Sequence, residues 1–327
     1  MNVLVAIYSP FAAWNITAAQ VERLRRLFPN HTFHHARNDA DVLEVLGEVD
    51  IAYTAEWDPT LLDAAPRLRW IHSPAAGVGG MLFPAMVASP VLISNSRGMS
   101  AEQIAEHVIA LTLALFRKFP LAFRSQALKR WAQDEMIAPP PLRTVQGARA
   151  LVVGLGSIGS ACARRFAALG AAVSAVRRRL DQPAPEGVDI TGTPNQLHDL
   201  LPAADIVVLT APQTRETRGM IGEAELAAMK AGAVLINVSR GKLVDEAALA
   251  SALAGGTLGG AGLDVFAHEP LDPSSLLWTL PNVIITPHMS GFRPDHWEAA
   301  TDLFAENLRR HDAGADLLNI VDKRAGY

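Results

Sequence analysis

The feature that most constrains the fold of this chain is a glycine-rich turn near its middle. Gly154-Leu155-Gly156-Ser157-Ile158-Gly159 follows an apolar run, 150–153, and precedes a helix-like stretch, 160–169. In a G-x-G-x-x-G turn the first glycine permits the tight bend, the second lets the backbone approach a pyrophosphate, and the third lets the helix pack on the strand. The free N–H groups and the helix dipole favour phosphate there. The strand–turn–helix context therefore predicts a dinucleotide-binding loop.

The position of this loop predicts a second folded unit before it, because about 150 residues precede it in a chain of 327. Apolar strand-like runs alternate with helical patterns on both sides of the loop, which predicts two α/β domains with doubly wound, Rossmann-like parallel sheets. The strand runs before it are 3–8, 32–36, 51–54, 70–73 and 91–94. The six runs from the loop onward are 150–154, 173–176, 205–210, 234–238, 261–265 and 283–286.

The last helical pattern, 295–310, lies beyond the final strand, so we expect the chain to cross back to its first domain. This predicts a discontinuous first domain, 1–99 plus 290–327, around a dinucleotide-binding domain, 100–289. A long helix begins at Ser100. Residues 119–147 are less regular and are interpreted as a protruding arm or connector suited to oligomer contacts.

Composition excludes several classes of function. The net charge is −4 and the pI is about 6.2, so no basic surface invites nucleic acid or an anionic membrane. The first residues are interpreted as a buried strand instead of a signal peptide, and the longest uncharged apolar helical segment, 108–116, is far shorter than the roughly 20 residues that span a bilayer. A single cysteine, Cys162, fits a reducing compartment. We therefore expect a cytoplasmic protein with no membrane and no nucleic-acid partner.

Four histidines are interpreted as structural. His31, His34 and His35 lie close together without a spacing typical of zinc sites, so no metal site is predicted. His107 lies in an apolar helical stretch and is interpreted as a packed core residue.

Reactive side chains follow three successive strand runs of the second half. Arg240 comes after 234–238, Asp264 and Glu269 after the next run, and His288 after 283–286. Reduction of a 2-keto acid needs a cation for the carboxylate and an acid for the new alkoxide. Arg240 binds carboxylates bidentately, His288 can exchange a proton near neutral pH, and Glu269 can orient its ring. Each residue alone could be an ordinary surface charge, but their common edge favours a catalytic set.

These motifs resemble the D-isomer-specific 2-hydroxyacid dehydrogenase family over nearly the whole chain. The matching stretches include the glycine loop, Ile236-Asn237-Val238-Ser239-Arg240-Gly241, Gly262-Leu263-Asp264-Val265-Phe266 running to Glu269-Pro270, and Thr286-Pro287-His288. They also include Ala75-Ala76-Gly77-Val78 and the helix start from Ala101-Glu102 through Glu106-His107. The resemblance implies a flavodoxin-like first domain that binds substrate, and a homodimer held by residues 100–145.

The resemblance also implies roles for single residues. Arg240, Glu269 and His288 form the catalytic set, with Glu269 paired to His288 and Arg240 on the substrate. The backbone N–H groups of Ala76, Gly77 and Val78 hold the substrate carboxylate, and Tyr53 is a further substrate-binding candidate. Asp264 bonds the nicotinamide carboxamide. The remaining cofactor-binding residues are Gly154, Gly156, Ser157, Ile158, Gly159, Ala211, Pro212, Ser239 and Ser290.

One departure from the family pattern bears on the choice of cofactor. NAD-using members carry an acidic residue after the second strand of the dinucleotide domain, whereas here Arg177, Arg178 and Arg179 follow Val176. Arginine suits a 2′-phosphate, so Arg177 and Arg178 predict that NADP(H) is preferred, with NAD(H) possible. A solvated basic turn, or Asp181 as a ribose acceptor, remains the alternative.

The sequence thus predicts a reversible D-2-hydroxyacid dehydrogenase that reduces a small 2-keto acid with NADPH. Glyoxylate and hydroxypyruvate are the expected substrates, and a larger hydrophobic keto acid stays open. One alternative is a phosphoglycerate-type dehydrogenase, disfavoured because no basic cluster marks a phosphate site and no regulatory extension follows. The other is a non-catalytic, nucleotide-sensing corepressor-like protein, which the same fold also supports.

Overall fold

The chain divides into two compact units. The computed structural model describes residues 1–181 and 183–327. Unit 1 comprises Met1–Met99 and Arg293–Tyr327, and unit 2 comprises Ser100–Phe292. The second boundary thus lies three residues after the one expected from the sequence, between residues 289 and 290.

Unit 1 contains a five-stranded parallel sheet in the order β2-β1-β3-β4-β5. Its strands are β1 Asn2–Ala6, β2 Thr32–Ala36, β3 Ile51–Thr54, β4 Trp70–Ser73 and β5 Leu92–Asn95. Its helices are α1 Ala18–Leu27, α2 Asp39–Val45, α3 Pro59–Ala64, α4 Pro84–Ala88 and α12 His296–Asp312. This strand order is the flavodoxin-like one.

Helix α12 belongs to unit 1 because its apolar side chains complete the core of that sheet. Trp297, Phe304 and Leu308 are buried with Val3, Val5, Tyr53 and Trp70 of the strands. Central parallel strands are covered on both faces, and all four residues of β3 are accordingly buried.

Unit 2 contains a seven-stranded parallel sheet in the order β12-β11-β10-β9-β6-β7-β8. Its strands are β6 Arg149–Val153, β7 Ala172–Val176, β8 Ile190–Gly192, β9 Ile206–Leu209, β10 Val234–Asn237, β11 Gly260–Leu263 and β12 Val283–Ile285. Its helices are α5 Ala101–Phe116, α6 Phe119–Ala127, α7 Gln133–Ile137, α8 Ser157–Ala168, α9 Leu197–Leu200, α10 Glu223–Ala228 and α11 Glu246–Ala254.

The predicted α/β fold with two parallel sheets is confirmed, with two differences of detail. The sheet of unit 2 has a seventh strand, β8, whose three residues at the sheet edge are too few to show a period-two pattern. The segment predicted to be irregular, 119–147, contains α6 and α7. Within the described residues, no helix has the length and apolar content needed to cross a bilayer.

Candidate active site

The glycine loop joins β6 to α8 through two close backbone contacts. A Cβ on Gly154, whose φ is +104°, would lie 2.5 Å from the Ala211 nitrogen, and one on Gly159 would lie 2.0 Å from the Gly154 carbonyl oxygen. Both positions therefore require glycine. Gly156 is different, because a Cβ there would meet no atom within 4 Å. The backbone at Gly156 thus borders open space at the start of α8.

This open space fits the pyrophosphate of a dinucleotide. Helix α8 begins with Gly156 as its N-cap, and no side chain caps its first turn. The N–H groups at Ser157, Ile158 and Gly159 are therefore the ones that would meet phosphate oxygens, with the helix dipole adding to the attraction.

The arginines after β7 are neighbours of this loop. The Gly154 N–H donates to the Val176 carbonyl oxygen at 2.8 Å, so the end of β7 and the loop lie side by side. Arg177 Nη1 donates to the Pro183 carbonyl at 3.3 Å, and Arg178 Nη2 pairs with the Glu216 carboxylate at 2.8 Å. Cationic side chains thus occupy the positions after β7 where a carboxylate would bind a ribose.

The remaining cofactor candidates after β9 and β10 lie at the same carboxyl edge of the sheet. Ala211 is buried against the loop, and the Ser239 hydroxyl donates to its carbonyl oxygen. The Pro212 carbonyl accepts from the Thr217 hydroxyl at 2.6 Å. The bond from Ser239 holds the turn after β10 against the turn after β9, and the bond from Thr217 lies within the turn after β9.

The three catalytic candidates follow the adjacent parallel strands β10, β11 and β12. His288 Nδ1 and Glu269 Oε2 are 2.7 Å apart, while Glu269 Oε1 accepts the Phe266 N–H at 2.9 Å. Burial alone would raise the pKa of Glu269, but the hydrogen bonds from His288 and Phe266 and the nearby positive charge outweigh it and lower that pKa. Glu269 is therefore a carboxylate that fixes the ring of His288. Since the His288 side chain is 45% exposed, its Nε2 is left to exchange protons.

Arg240 is the cation of this group. Its Nη1 donates to the Ser239 carbonyl at 2.7 Å, and a guanidinium carries five N–H donors. Burial lowers the pKa of Arg240, while the Glu269 carboxylate acts in the opposite direction. Arginine starts so high that it stays charged at neutral pH, so its remaining donors suit a carboxylate.

Gly241 explains how the turns carrying Arg240 and Glu269 come together. A Cβ on Gly241 would lie 1.8 Å from the Phe266 carbonyl carbon and 2.2 Å from the Ala267 nitrogen. The backbones of the two turns are thus in direct contact, and no larger residue fits between them.

Asp264 makes different contacts from the nicotinamide contact expected of it. Its carboxylate is fully buried and accepts the Thr286 hydroxyl at 2.6 Å, the Met289 N–H at 2.9 Å and the Ser290 N–H at 3.0 Å. A carboxylate with no exposed surface reaches a carboxamide only if this turn moves. Ser290, also expected to bind cofactor, is itself buried with its N–H held by Asp264.

In unit 1 the predicted carboxylate cradle lies in an exposed turn after β4. Ala76 and Gly77 are exposed, while the Val78 side chain is buried. Within the described part of the chain, the N–H groups of these three residues donate to no acceptor. They are therefore available to bind an anion.

The structure gives no support to the predicted substrate contact of Tyr53, which stays a prediction. Its side chain is fully buried, and its ring stacks on Phe304 with centroids 4.3 Å apart. Tyr53 lies on β3, a strand covered on both faces, so no surface of it remains for a ligand.

His107, interpreted from the sequence as a core residue, lies beside the turn that follows β12 and carries His288. Its Nε2 is 3.0 Å from the Thr286 hydroxyl and 3.9 Å from the Asp264 carboxylate. A histidine on an apolar helix gives no sequence signal for this contact, because Thr286 is 179 residues away. In residues 1–181 and 183–327, no three His, Cys, Asp or Glu side chains are arranged to hold a metal ion.

Comparisons with known proteins identify the family to which this chain is similar. Residues 109–290 match the family model described as "D-isomer specific 2-hydroxyacid dehydrogenase, NAD binding domain". The chain is 35% identical over 271 residues to D-3-phosphoglycerate dehydrogenase of Mycobacterium tuberculosis, covering 82% of this chain and 50% of that protein. It therefore spans about half the length of this relative. Glyoxylate reductase of Thermococcus litoralis is 33% identical over 288 residues, with 86% of each chain covered.

A solved structure resembles the whole chain. It is an NADPH-dependent glyoxylate/hydroxypyruvate reductase from Sinorhizobium meliloti, in complex with NADP and sulfate. The TM-score is 0.84 at 27% sequence identity, and the match covers 100% of this chain and 99% of that one.

Proposed function

Because this chain belongs to the D-isomer specific 2-hydroxyacid dehydrogenase family, we propose that it reduces a small 2-keto acid with NADPH and runs reversibly as a D-2-hydroxyacid dehydrogenase. The observation that carries the proposal is the pairing of His288 Nδ1 with Glu269 Oε2 at 2.7 Å, beside the partly buried cation of Arg240. This set supplies the carboxylate anchor and the proton that keto-acid reduction requires.

The chain's own residues account for binding and proton transfer. A reduced nicotinamide, when bound, supplies the hydride. Arg240 binds the substrate carboxylate and polarises the ketone, because its guanidinium stays charged while partly buried. His288 protonates the new alkoxide from Nε2, and Glu269 stabilises the ring in that orientation through Nδ1. In the oxidative direction His288 takes the proton back.

Glyoxylate and hydroxypyruvate are the proposed substrates, and NADPH the preferred cofactor. The Thermococcus and Sinorhizobium relatives support the substrates by their names, and the second also supports NADPH. In this chain the support for NADPH is the pair Arg177 and Arg178 after β7, because guanidinium groups match a 2′-phosphate.

A phosphoglycerate-type activity is the second candidate, favoured by the 35% identity to D-3-phosphoglycerate dehydrogenase. The two are separated by a panel of glyoxylate, hydroxypyruvate and 3-phosphohydroxypyruvate, each with NADPH and with NADH. We expect the first two substrates with NADPH to give the highest kcat/KM. A higher value for 3-phosphohydroxypyruvate would select the second candidate.

His288→Gln tests the catalytic assignment. We expect kcat to fall by about 10²- to 10⁴-fold with NADPH affinity nearly unchanged, because the substitution removes the acid and leaves the glycine loop intact. His198→Gln, an exposed histidine of α9, is the matched control. Tight NADPH binding by a protein that turns over no 2-keto acid would contradict catalysis and favour a nucleotide sensor.

A further inference from the structure

The turn that carries His288 holds that residue in an uncommon backbone conformation. His288 has a φ of +51°, in the left-handed region that residues other than glycine adopt rarely. Such a residue persists only where surrounding contacts determine its conformation. The contacts around His288 therefore decide where its imidazole points.

Asp264 supplies most of these contacts. Its backbone carbonyl accepts the His288 N–H at 2.8 Å, and its buried carboxylate accepts the N–H groups of the next two residues, Met289 and Ser290. Three consecutive backbone donors are thus held by one residue at the end of β11. A change in the orientation of the Asp264 carboxylate would reach His288 through the backbone of Met289 and Ser290.

Thr286 and His107 orient that carboxylate. The Thr286 hydroxyl is 2.6 Å from Asp264 Oδ1, so its single proton is donated to the carboxylate, a charge-assisted bond. The Thr286 hydroxyl oxygen is also 3.0 Å from His107 Nε2. Because its proton is already donated to Asp264, this oxygen can only accept from His107, which assigns the Nε2–H tautomer to His107. Burial lowers the pKa of His107, against the influence of Asp264, so the ring is neutral at neutral pH and keeps this single donor role.

We propose that His107 and Thr286 are positioning residues for the catalytic histidine, acting through Asp264 on the backbone of residues 288–290. The inference rests on the proposed function only in taking His288 as the acid/base. Helix α5 thereby contributes to catalysis without touching substrate, because a side chain on its inner face sets the conformation of a turn that follows β12.

Thr286→Val is the central test, because valine keeps the shape of threonine and removes the hydroxyl that joins His107 to Asp264. We expect kcat to fall about 10- to 100-fold, since small misplacements of a catalytic group have effects of this size. The KM for the keto acid and the Kd for NADPH should stay within about twofold. Thr286→Ser should restore most of the activity. Thr112→Val removes another buried hydroxyl, bonded to the Val108 carbonyl, and is the control for loss of a buried hydroxyl as such.

His107 is tested in the same way. Glutamine can place an N–H donor near the position of Nε2, so His107→Gln should keep most of kcat, whereas His107→Leu should lose about as much as Thr286→Val. The double variant His107→Leu/Thr286→Val should lose no more than either single variant, because both break one chain of contacts.

A readout independent of activity is the imidazole NMR signal of His288, assigned by its disappearance in His288→Gln. In Thr286→Val we expect the Nδ1–H resonance of the bond to Glu269 to shift or broaden, while Thr112→Val leaves it unchanged. If Thr286→Val has a normal kcat and an unchanged His288 signal, the positioning role of His107 and Thr286 is overturned, while the proposed function stands. Wild-type protein that reduces no keto acid would instead overturn the proposed function.

Discussion

At the scale of single residues, the three glycines of the glycine loop are required for different physical reasons. Gly154 and Gly159 are required by backbone contacts inside the protein, with a Cβ meeting backbone atoms at 2.5 Å and 2.0 Å. A Cβ on Gly156 would meet no atom within 4 Å, so the fold itself does not require glycine there, and we expect the space to be needed by a ligand. The motif combines folding and binding requirements that its sequence pattern does not separate.

This difference predicts opposite outcomes for two alanine variants. Gly156→Ala should keep the melting temperature of the ligand-free protein and raise the Kd for NADPH by about tenfold or more, because a methyl group enters the space for the pyrophosphate. Gly159→Ala should lower the melting temperature by several degrees, because its Cβ collides with backbone. Thermal unfolding without ligand and a fluorescence titration with NADPH measure the two effects. Equal melting temperatures for the two variants would contradict this division of roles.

The choice of cofactor is also decided by single residues. Arg178 forms an exposed ion pair with Glu216, and such pairs contribute little to stability, so its loss should leave the fold intact. We expect Arg178→Ala to raise the KM for NADPH about tenfold or more and to change that for NADH by less than about twofold, because only NADPH carries the 2′-phosphate. Steady-state kinetics with both cofactors measure this, with Arg309→Ala on α12 as control. A wild-type KM lower for NADH than for NADPH would refute the preference.

At the scale of elements, the first strand of each unit, β1 or β6, begins with the same contact, a hydrogen bond from its first N–H to an aspartate. Asp50 precedes β3 and accepts the Asn2 N–H at 2.9 Å, while its own N–H donates to the Asn2 carbonyl. Asp205 does the same before β9, accepting the Arg149 N–H at 2.9 Å. An arginine pairs with each aspartate, Arg67 and Arg143 respectively. An acidic residue before the adjacent strand thus satisfies the first N–H of β1 and of β6.

Asp205 has one more cationic partner than Asp50, since Lys230 also contacts its carboxylate at 2.7 Å. Asp205→Asn should lower the free energy of unfolding of unit 2 by about 2 to 3 kcal/mol, because two cations lose their partner. Denaturant unfolding measures this, with Asp199→Asn on α9 as an exposed control. An equal loss in the control variant would show that the ion pairs contribute nothing.

The pH dependence of that difference follows from the Asp205 pKa. Burial raises it, but Lys230, the Arg149 N–H and Arg143 outweigh burial and lower it below the ordinary value of 3.8. A depressed folded-state pKa stabilises the fold above the unfolded-state value, and the contribution is lost as the pH falls through the folded-state value. The difference between wild type and Asp205→Asn should therefore be constant from neutral pH down to about pH 4 and shrink below it.

At the scale of the whole molecule, an apolar surface on the segment 113–137 is the feature that the single chain leaves unexplained. Four of its large side chains are strongly exposed: Phe123 is 61%, Leu128 72%, Trp131 89% and Ile137 65% exposed. Grouped apolar exposure of this kind marks interaction surfaces. We propose that this segment, α6 and α7 with the end of α5, forms the interface of a homodimer.

Trp131→Glu tests the proposed dimer. A charge in the centre of an apolar interface should raise the dimer dissociation constant by about a hundredfold or more, because tryptophan anchors are worth several kcal/mol. Sedimentation velocity over a range of concentrations measures this. Trp278→Glu changes another exposed tryptophan, 51% exposed and outside the segment, and should leave the dimer intact. A wild-type protein that sediments as a monomer at every concentration would contradict the proposed homodimer.

The sequence by itself determined the fold class, the glycine turn between strand and helix, and the grouping of Arg240, Glu269 and His288 at one edge of the sheet. These depend on local signals: hydrophobic period, glycine spacing, and the rule that parallel strands present their carboxyl ends on one edge. Tertiary structure alone decided the burial of Tyr53, the inward-facing carboxylate of Asp264, and the contact of His107 with Thr286. Each depends on partners brought together from distant parts of the chain, and no local pattern records which face of a packed element a side chain will meet.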